Sequence, residues 1–249
     1  MKLVTAQLEL LKTYPRRREP LPEAHARYYH QEIVAGREGL SLGHQLVLLV
    51  ESWMHKMVAT KSQGQSVLEL GAGTLNHLKY EKNYQTYDVV EPFNYDYSKT
   101  PSAIKDRIRH FYRDLIDIPS NQKYDRIVSI AVLEHLENLP AIVAQSALKL
   151  NPNGCFQAGI PSEGEFLWHA CSNLSTGILF RLRTGLDYAT LMRYEHINLA
   201  HEIIQIVNYF FEEVSIKRFP FSLKGASIYT YIEAQKPNLE RCQAYAKNE

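Results

Sequence analysis

Two groups of residues in the chain carry chemistry. The first begins where the apolar run Val67-Leu68-Glu69-Leu70 meets Gly71-Ala72-Gly73-Thr74. Glycine lacks a Cβ, so the backbone there can approach a ligand closely, and a helix expected over residues 75–82 would aim an electropositive N-terminus at the same point. Glu91 follows Gly71 by 20 residues, the interval at which an acid closing the next strand accepts the two hydroxyls of a ribose. A dinucleotide fits this turn poorly. Asn76 occupies the third glycine position of that fingerprint, and Glu69 would repel a pyrophosphate. A nucleoside with a cationic amino-acid tail fits better, because Glu69 attracts positive charge.

The second group centres on Leu133-Glu134-His135-Leu136, directly after the apolar run Ile127 to Val132. An imidazole at the end of a strand can take a proton from a hydroxyl near neutral pH. The other reading is a helix cap in which Glu134 or His135 bonds to the backbone. His169 and His196 are alternative bases. They lie in the aromatic stretch 162–200 with Phe166, Trp168, Tyr188 and Tyr194 and the cations Arg181, Arg183 and Arg193. Such a mixture suits a polar ring compound such as a sugar or an acidic metabolite, or else a loop that packs its aromatics onto the domain. His201 sits in a helical stretch and reads as structural. No Asp-Pro-Pro-Tyr, Asn-Pro-Pro-Tyr or Pro-Cys follows the fourth strand, which argues against base-amine and covalent cytosine chemistry. No carboxylate cluster at a metal-ligand spacing stands out, so no metal is expected.

These residues need a frame, and the periodicity supplies one. Short apolar runs at 67–70, 87–90, 108–112, 127–132 and 155–160 alternate with helical patterns at 75–82, 102–107 and 139–150. Strand-helix alternation predicts βαβ units and a parallel sheet with helices on both faces. Asn151-Pro152-Asn153-Gly154 reads as a turn that ends the last of these helices. A helix at 199–211 and two strands at 214–219 and 227–234, joined by a turn at Lys224-Gly225, close the chain. Residues 1–60 read as a separate helical extension, with Leu42, Leu46, Leu49, Val50, Trp53 and Met57 on one face of a helix over 41–60. Arg16-Arg17-Arg18, between Pro15 and Pro20, reads as a solvated turn, with anion binding as the other reading. With 28 basic and 27 acidic residues the chain has no general field for nucleic acid or an anionic membrane. Three cysteines without a CxxC support neither a disulfide framework nor a zinc knuckle. The N-terminus has no signal-peptide pattern, and a reducing cytoplasm is the expected compartment.

Taken in order, residues 69–74 (ELGAGT), Glu91, Arg113-Asp114-Leu115, the run Tyr124 to Leu136 and the turn Leu150 to Phe156 resemble the successive motifs of class I S-adenosylmethionine-dependent methyltransferases. The resemblance covers residues 65–161, and the strand pair at 214–234 extends it. It implies S-adenosylmethionine as cofactor. Gly71 and Gly73 would face its methionine part, Glu69 would meet the ammonium, and Glu91 would hold the ribose. Pro92 and Phe93 would lie beside the adenine, Asp114 would accept from the adenine amino group, the Leu115 amide would donate to the ring, and the Ile130-Ala131 backbone would line the methionine side. In related small-molecule enzymes a histidine near the position of His135 serves as base. Leu75 stands where many relatives carry a further glycine.

The expected fold is therefore α/β, a Rossmann-like doubly wound sheet of seven strands, mostly parallel with a reversed last strand. A helical extension over 1–60 would precede a methyltransferase domain over 61–249, with a substrate-cover insertion at about 162–200. The expected reaction is methyl transfer to a small-molecule acceptor, to oxygen ahead of carbon or nitrogen. The alternative is a non-catalytic S-adenosylmethionine-binding scaffold subunit. The expected partner is that small molecule, with neither nucleic acid nor membrane; a homo-oligomer stays open.

Overall fold

The computed structural model of the chain describes residues 2–30, 52–59, 65–95, 97–164, 168, 177–223 and 225–247. Seven strands form one sheet: β1 (Ser66–Leu70), β2 (Thr86–Val90), β3 (His110–Tyr112), β4 (Tyr124–Ile130), β5 (Leu150–Pro161), β6 (Phe211–Pro220) and β7 (Ser227–Pro237). Their order is β3-β2-β1-β4-β5-β7-β6. The first five pair in parallel, and β7 runs antiparallel to both β5 and β6. Chain direction across the sheet reverses between β1 and β4, so the connections leaving those two strands diverge and open a crevice at their carboxyl ends.

Alternation along the strands sorts the core into two layers. Leu68 and Leu70 pack with Phe156, Ile160 and Ile232 against α5 (Leu139–Leu148) and α8 (Ala200–Phe210). Val67, Tyr87, Val89, Val128 and Tyr231 pack on the opposite face against Met54 and Val58 of α3 (52–59), and Ile104 of α4 (Ser102–Lys105) packs onto the same layer. Burial on both faces is why these strands read as near-continuous apolar runs. A buried ion pair sits in this second layer. Arg126 on β4 is fully buried and donates to both carboxylate oxygens of Glu81 (3.0 and 2.9 Å), to Gln157 (3.0 Å) and to the Val58 carbonyl (3.1 Å). Its donors are satisfied across three elements, which locks helix 52–59 to the sheet.

The helix expected over 75–82 does not form. Residues 73–80 are a succession of turns, and Leu75 has φ +65°. A left-handed residue cannot continue a right-handed helix. Burial of Leu75 and Leu78 in the second layer holds the segment in this shape instead. The turn expected at 151–154 proves to be a bulge inside β5: Leu150 pairs with Tyr124 and Cys155 with Arg126, leaving residues 151–154 out of the ladder. The stretch 162–200 is also less irregular than its pattern suggests. It contains α6 (Ile178–Thr184) and α7 (Tyr188–Glu195), the latter capped by the Asp187 carboxylate on the Thr190 amide at 3.0 Å.

The N-terminal segment carries α1 (Lys2–Leu11) and α2 (Glu23–Tyr28) and is bound to the sheet domain. Gln7 donates to the Gln205 carbonyl of α8 at 3.1 Å. The arginine triplet is not a solvated turn throughout: Arg16 forms a two-pronged ion pair with Glu202, and Arg18 pairs with Glu137. A closing helix, α9 (Leu239–Lys247), has no counterpart in the sequence reading; it buries Cys242. Residues 41–51 of the expected amphipathic helix, and Phe166, His169, Cys171 and Lys224, lie outside the described residues. Among the described residues no helix is long and apolar enough to cross a membrane.

Candidate active site

The crevice at the carboxyl ends of β1, β2 and β4 is a cavity of about 790 Å³. Glu69, Gly71, Gly73, Glu91, Pro92, Asp114, Leu115, Ala131 and His135 all line it. At one end the glycine turn does two jobs. Gly71 has φ +64°, and a Cβ placed there would meet the Val132 side chain at 2.5 Å, so only glycine fits. The Gly73 amide donates to Glu91 Oε2 at 2.8 Å, and the Phe93 amide donates to Oε1 at 2.9 Å. Two backbone donors thus aim the buried Glu91 carboxylate, and each oxygen keeps a lone pair for a further donor. The electropositive helix end expected beside the glycines is absent, because no helix starts there and the Gly73 amide is spent on Glu91. What the turn offers a ligand is carboxylate, not an anion cradle.

Glu69 is 3% exposed and accepts from the Tyr87 hydroxyl at 2.7 Å. Burial pushes its carboxyl up to about 7, against the opposing pull of His77 and the Tyr87 hydrogen bond. Arg113 fixes the neighbouring loop. Its guanidinium donates to the Glu91, Pro92 and Phe93 carbonyls (3.4, 3.2 and 2.9 Å) and to the Asn94 side chain. Asp114 is exposed and caps the short turn Leu115–Asp117, accepting from the Ile116 amide at 3.2 Å. At the end of β4, Ala131 is held at φ +54°, a conformation that costs a non-glycine residue about 1–3 kcal/mol and persists where surrounding structure enforces it. The Ala131 amide donates to the Gly159 carbonyl at 2.8 Å.

The other end is built around the turn Leu133–His135. His135 Nδ1 lies 2.8 Å from the Glu195 carbonyl. A carbonyl only accepts, so Nδ1 carries a hydrogen, and in the neutral ring the lone pair is on Nε2. The ring is thus bonded to backbone and also lies on the cavity wall. Asn198, fully buried, donates to the Leu133 and Leu136 carbonyls (both 2.8 Å) and accepts from the Tyr14 hydroxyl at 2.7 Å. Arg18 lines the cavity and donates to the carbonyls of His135 (2.5 Å) and Tyr194 (3.2 Å) and to the Glu137 carboxylate (2.8 Å). Tyr29 and Tyr194 complete this wall, ring centroids 5.2 Å apart.

His196 is not among the residues lining the cavity; its Nδ1 is bonded to Glu163. Burial alone would lower its pKa, but the Glu163 bond and the nearby carboxylates of Glu134 and Glu195 outweigh that and hold it above the ordinary histidine value. His201 is exposed on α8. Against the expectation of no metal-ligand cluster, Glu134, His135 and His196 each bring a ligand atom within 4.8 Å of the others. Sequence reasoning also passed over Tyr14, Glu195 and Asn198, and read Arg16 and Arg18 as a solvated turn or an anion site rather than as clamps. Their partners stand 60 to 186 residues away, so no local spacing marks them. Arg113 was visible as part of a motif, but its grip on residues 91–94 was not.

Fold and site together define a doubly wound α/β protein with a cavity at the switch point of its sheet. The model of the methyltransferase-domain family matches residues 42–208, and the chain belongs to that family. It is a class I S-adenosylmethionine-dependent methyltransferase, with S-adenosylmethionine as methyl donor. Solved structures share the fold. The N-methyltransferase NodS from Bradyrhizobium japonicum WM9, in complex with S-adenosylhomocysteine, is 14% identical with a TM-score of 0.54 over 77% of this chain and 87% of its own. An O-methyltransferase family protein from Burkholderia thailandensis is 12% identical with a TM-score of 0.55 over 94% of this chain and 70% of its own. The 1,6-didemethyltoxoflavin-N1-methyltransferase of the same organism, with 1,6-didemethyltoxoflavin and S-adenosylhomocysteine bound, is 15% identical with a TM-score of 0.54 over 89% and 93%. At these identities the likeness is one of fold, and the relatives differ in acceptor atom. No curated protein matches the chain.

Proposed function

We propose that the enzyme methylates a hydroxyl oxygen of a small-molecule acceptor, with His135 as the group that receives the hydroxyl proton. The observation that carries this reading is the His135 tautomer. The Glu195 carbonyl holds the hydrogen on Nδ1 and leaves a basic Nε2 on a residue of the same cavity as the glycine turn and Glu91. The volume of the cavity lies within the range of roughly 300–1,000 Å³ typical of small-molecule sites. Tyr29 and Tyr194 offer ring faces, and a sugar ring or related polar metabolite suits them.

The cofactor end fits S-adenosylmethionine in its chemistry. Glu91 retains acceptor capacity for both ribose hydroxyls, and Glu69 is a buried acid awaiting a cation, as the ammonium of the methionine part would be. Gly71, Gly73 and the Ala131 backbone would flank that part, Pro92 would lie beside the adenine, and Asp114 with the Leu115 amide would meet the adenine edge. When bound, the cofactor supplies a methyl group already activated by the sulfonium. The chain's own residues align the acceptor, exclude water and take up the proton. Residues 1–60 and 162–200 act as the cover over the domain at 61–249. The test is a panel of alcohols, sugars, amines and carbon acids incubated with S-adenosylmethionine, read as S-adenosylhomocysteine release and product mass. Turnover with hydroxyl acceptors is expected; methylated amines or carbon acids alone would overturn the reading.

A further inference from the structure

We infer that Glu134, His135 and His196 form a site for one divalent transition-metal cation that stands beside the acceptor hydroxyl; this rests on the reading of His135 as the residue facing that hydroxyl. The three residues bring one ligand atom each within 4.8 Å of the others. Two imidazoles and one carboxylate suit zinc, manganese or iron, and leave coordination positions open for water or substrate. Magnesium and calcium, which take oxygen ligands, are disfavoured by the two nitrogens. Ligands of one ion stand at most about 4.2 Å apart, twice a metal–nitrogen distance, so no pair need close by more than about 0.6 Å when the ion enters.

Two further features point to an ion. Both imidazoles are anchored through Nδ1, His135 to the Glu195 carbonyl at 2.8 Å and His196 to the Glu163 carboxylate. Such outer partners orient ligating histidines and leave Nε2 for the metal. Glu134 is 1% exposed, and its Oε2 has no hydrogen-bond partner. A carboxylate buried without a partner is strongly unfavourable, and a cation supplies what it lacks. Glu163 and Glu195 add two more carboxylates around the cluster. His135 Nε2 stands 3.9 Å from Glu134 Oε1, so the cluster adjoins the cavity through His135.

An acceptor hydroxyl bound to such an ion releases its proton more readily. With the ion bound, His135 Nε2 would be its ligand, so the proton-accepting role proposed above for His135 would pass to Glu195, a cavity residue whose Oε1 is buried without a hydrogen-bond partner. The oxygen–methyl bond forms, the methyl–sulfur bond breaks with its electron pair left on sulfur, and S-adenosylhomocysteine departs neutral at sulfur.

The test uses the full chain, stripped with a chelator and titrated with zinc(II) or manganese(II) alone by calorimetry, with the bound ion counted by elemental analysis after gel filtration. One ion per chain is expected in the unmutated protein. Glu134→Gln, which keeps shape and fold, and His196→Ala should each weaken binding by at least about 100-fold, beyond the 10–100-fold usual for outer partners. Absence of stoichiometric binding, or unchanged binding in Glu134→Gln, overturns the site. Methylation of hydroxyl acceptors by the stripped enzyme at undiminished rate likewise overturns it, while leaving the O-methylation reading and the base role of His135 intact. Stoichiometric metal binding in an enzyme that methylates only amines would sustain the site and overturn the O-methylation reading.

Discussion

At the cofactor end of the cavity, Gly71, Gly73, Glu91 and Arg113 are tied together by bonds between adjacent parallel strands and the loops that leave them. At the acceptor end, the turn bearing His135 hangs from Arg18, Glu195 and Asn198, and Asn198 in turn from Tyr14. The first end inherits its geometry from the sheet. The second exists only once the N-terminal segment and the 188–198 region have closed on the turn after β4. The contrast separates two kinds of failure: loss of a contact at the cofactor end weakens one ligand, whereas loss of a clamp at the acceptor end loosens an assembly.

The strongest way to break this comparison is His135→Ala. Turnover should fall on the order of 10²–10⁴-fold, with S-adenosylmethionine affinity unchanged by calorimetry; a parallel loss of affinity would mean the two ends are not separable. Glu91→Ala should do the opposite. Cofactor affinity should weaken by about 1–3 kcal/mol, roughly 5–150-fold, while turnover at saturating cofactor is largely kept.

Arg16→Ala probes the assembly itself. It removes a two-pronged pair with Glu202 whose side chains are 20% and 16% exposed, and should lower stability in urea by about 1–2 kcal/mol. Turnover should drop before cofactor affinity does. Equal losses at both ends would show that the N-terminal segment supports the whole sheet.

The smallest effect expected is in pH. With the Glu69 carboxyl at about 7 in the free protein, a bound ammonium favours the charged form, so binding below that pH releases a proton. Affinity should therefore fall from pH 7 to 5.5, by up to about tenfold per unit. Folding stability responds with the opposite sign. The raised value means the folded state keeps its proton longer, so this group's contribution is fully present below the ordinary carboxylate range and is lost as pH rises from about 4.5 to about 7. Glu69→Gln should flatten both profiles; an unchanged binding profile in that variant would remove Glu69 from the ammonium site.

Local physics made the cofactor end legible. Apolar runs such as 67–70 and 127–130 must be strands buried on both faces, the Gly71-Ala72-Gly73 turn must sit where backbone comes close, and Glu91 falls at the end of the next strand because strand and crossover lengths are constrained. The ordered motifs at 65–161 carried the rest of the frame. The failures also have physical reasons. Residues 75–82 have helical spacing, yet Leu75 and Leu78 gain more by burial in the layer under β1 than the helix would return. Helices α6 and α7 stood in a stretch whose apolar pattern was masked by aromatics that face partners elsewhere in the chain, as Phe180 faces Tyr28.

What the sequence by itself determined is therefore the sheet, the glycine turn, the acid at Glu91 and the kind of ligand they favour, because each depends on residues adjacent in the chain or in neighbouring strands. Only the tertiary structure decided that Tyr14, Arg16 and Arg18 clamp the turn bearing His135, that the Glu195 carbonyl selects its tautomer, and that Glu134 and His196 stand beside it. Those contacts join segments up to 186 residues apart. They arise from closing the chain over the sheet edge, a step in which no residue's immediate neighbours record its eventual partner.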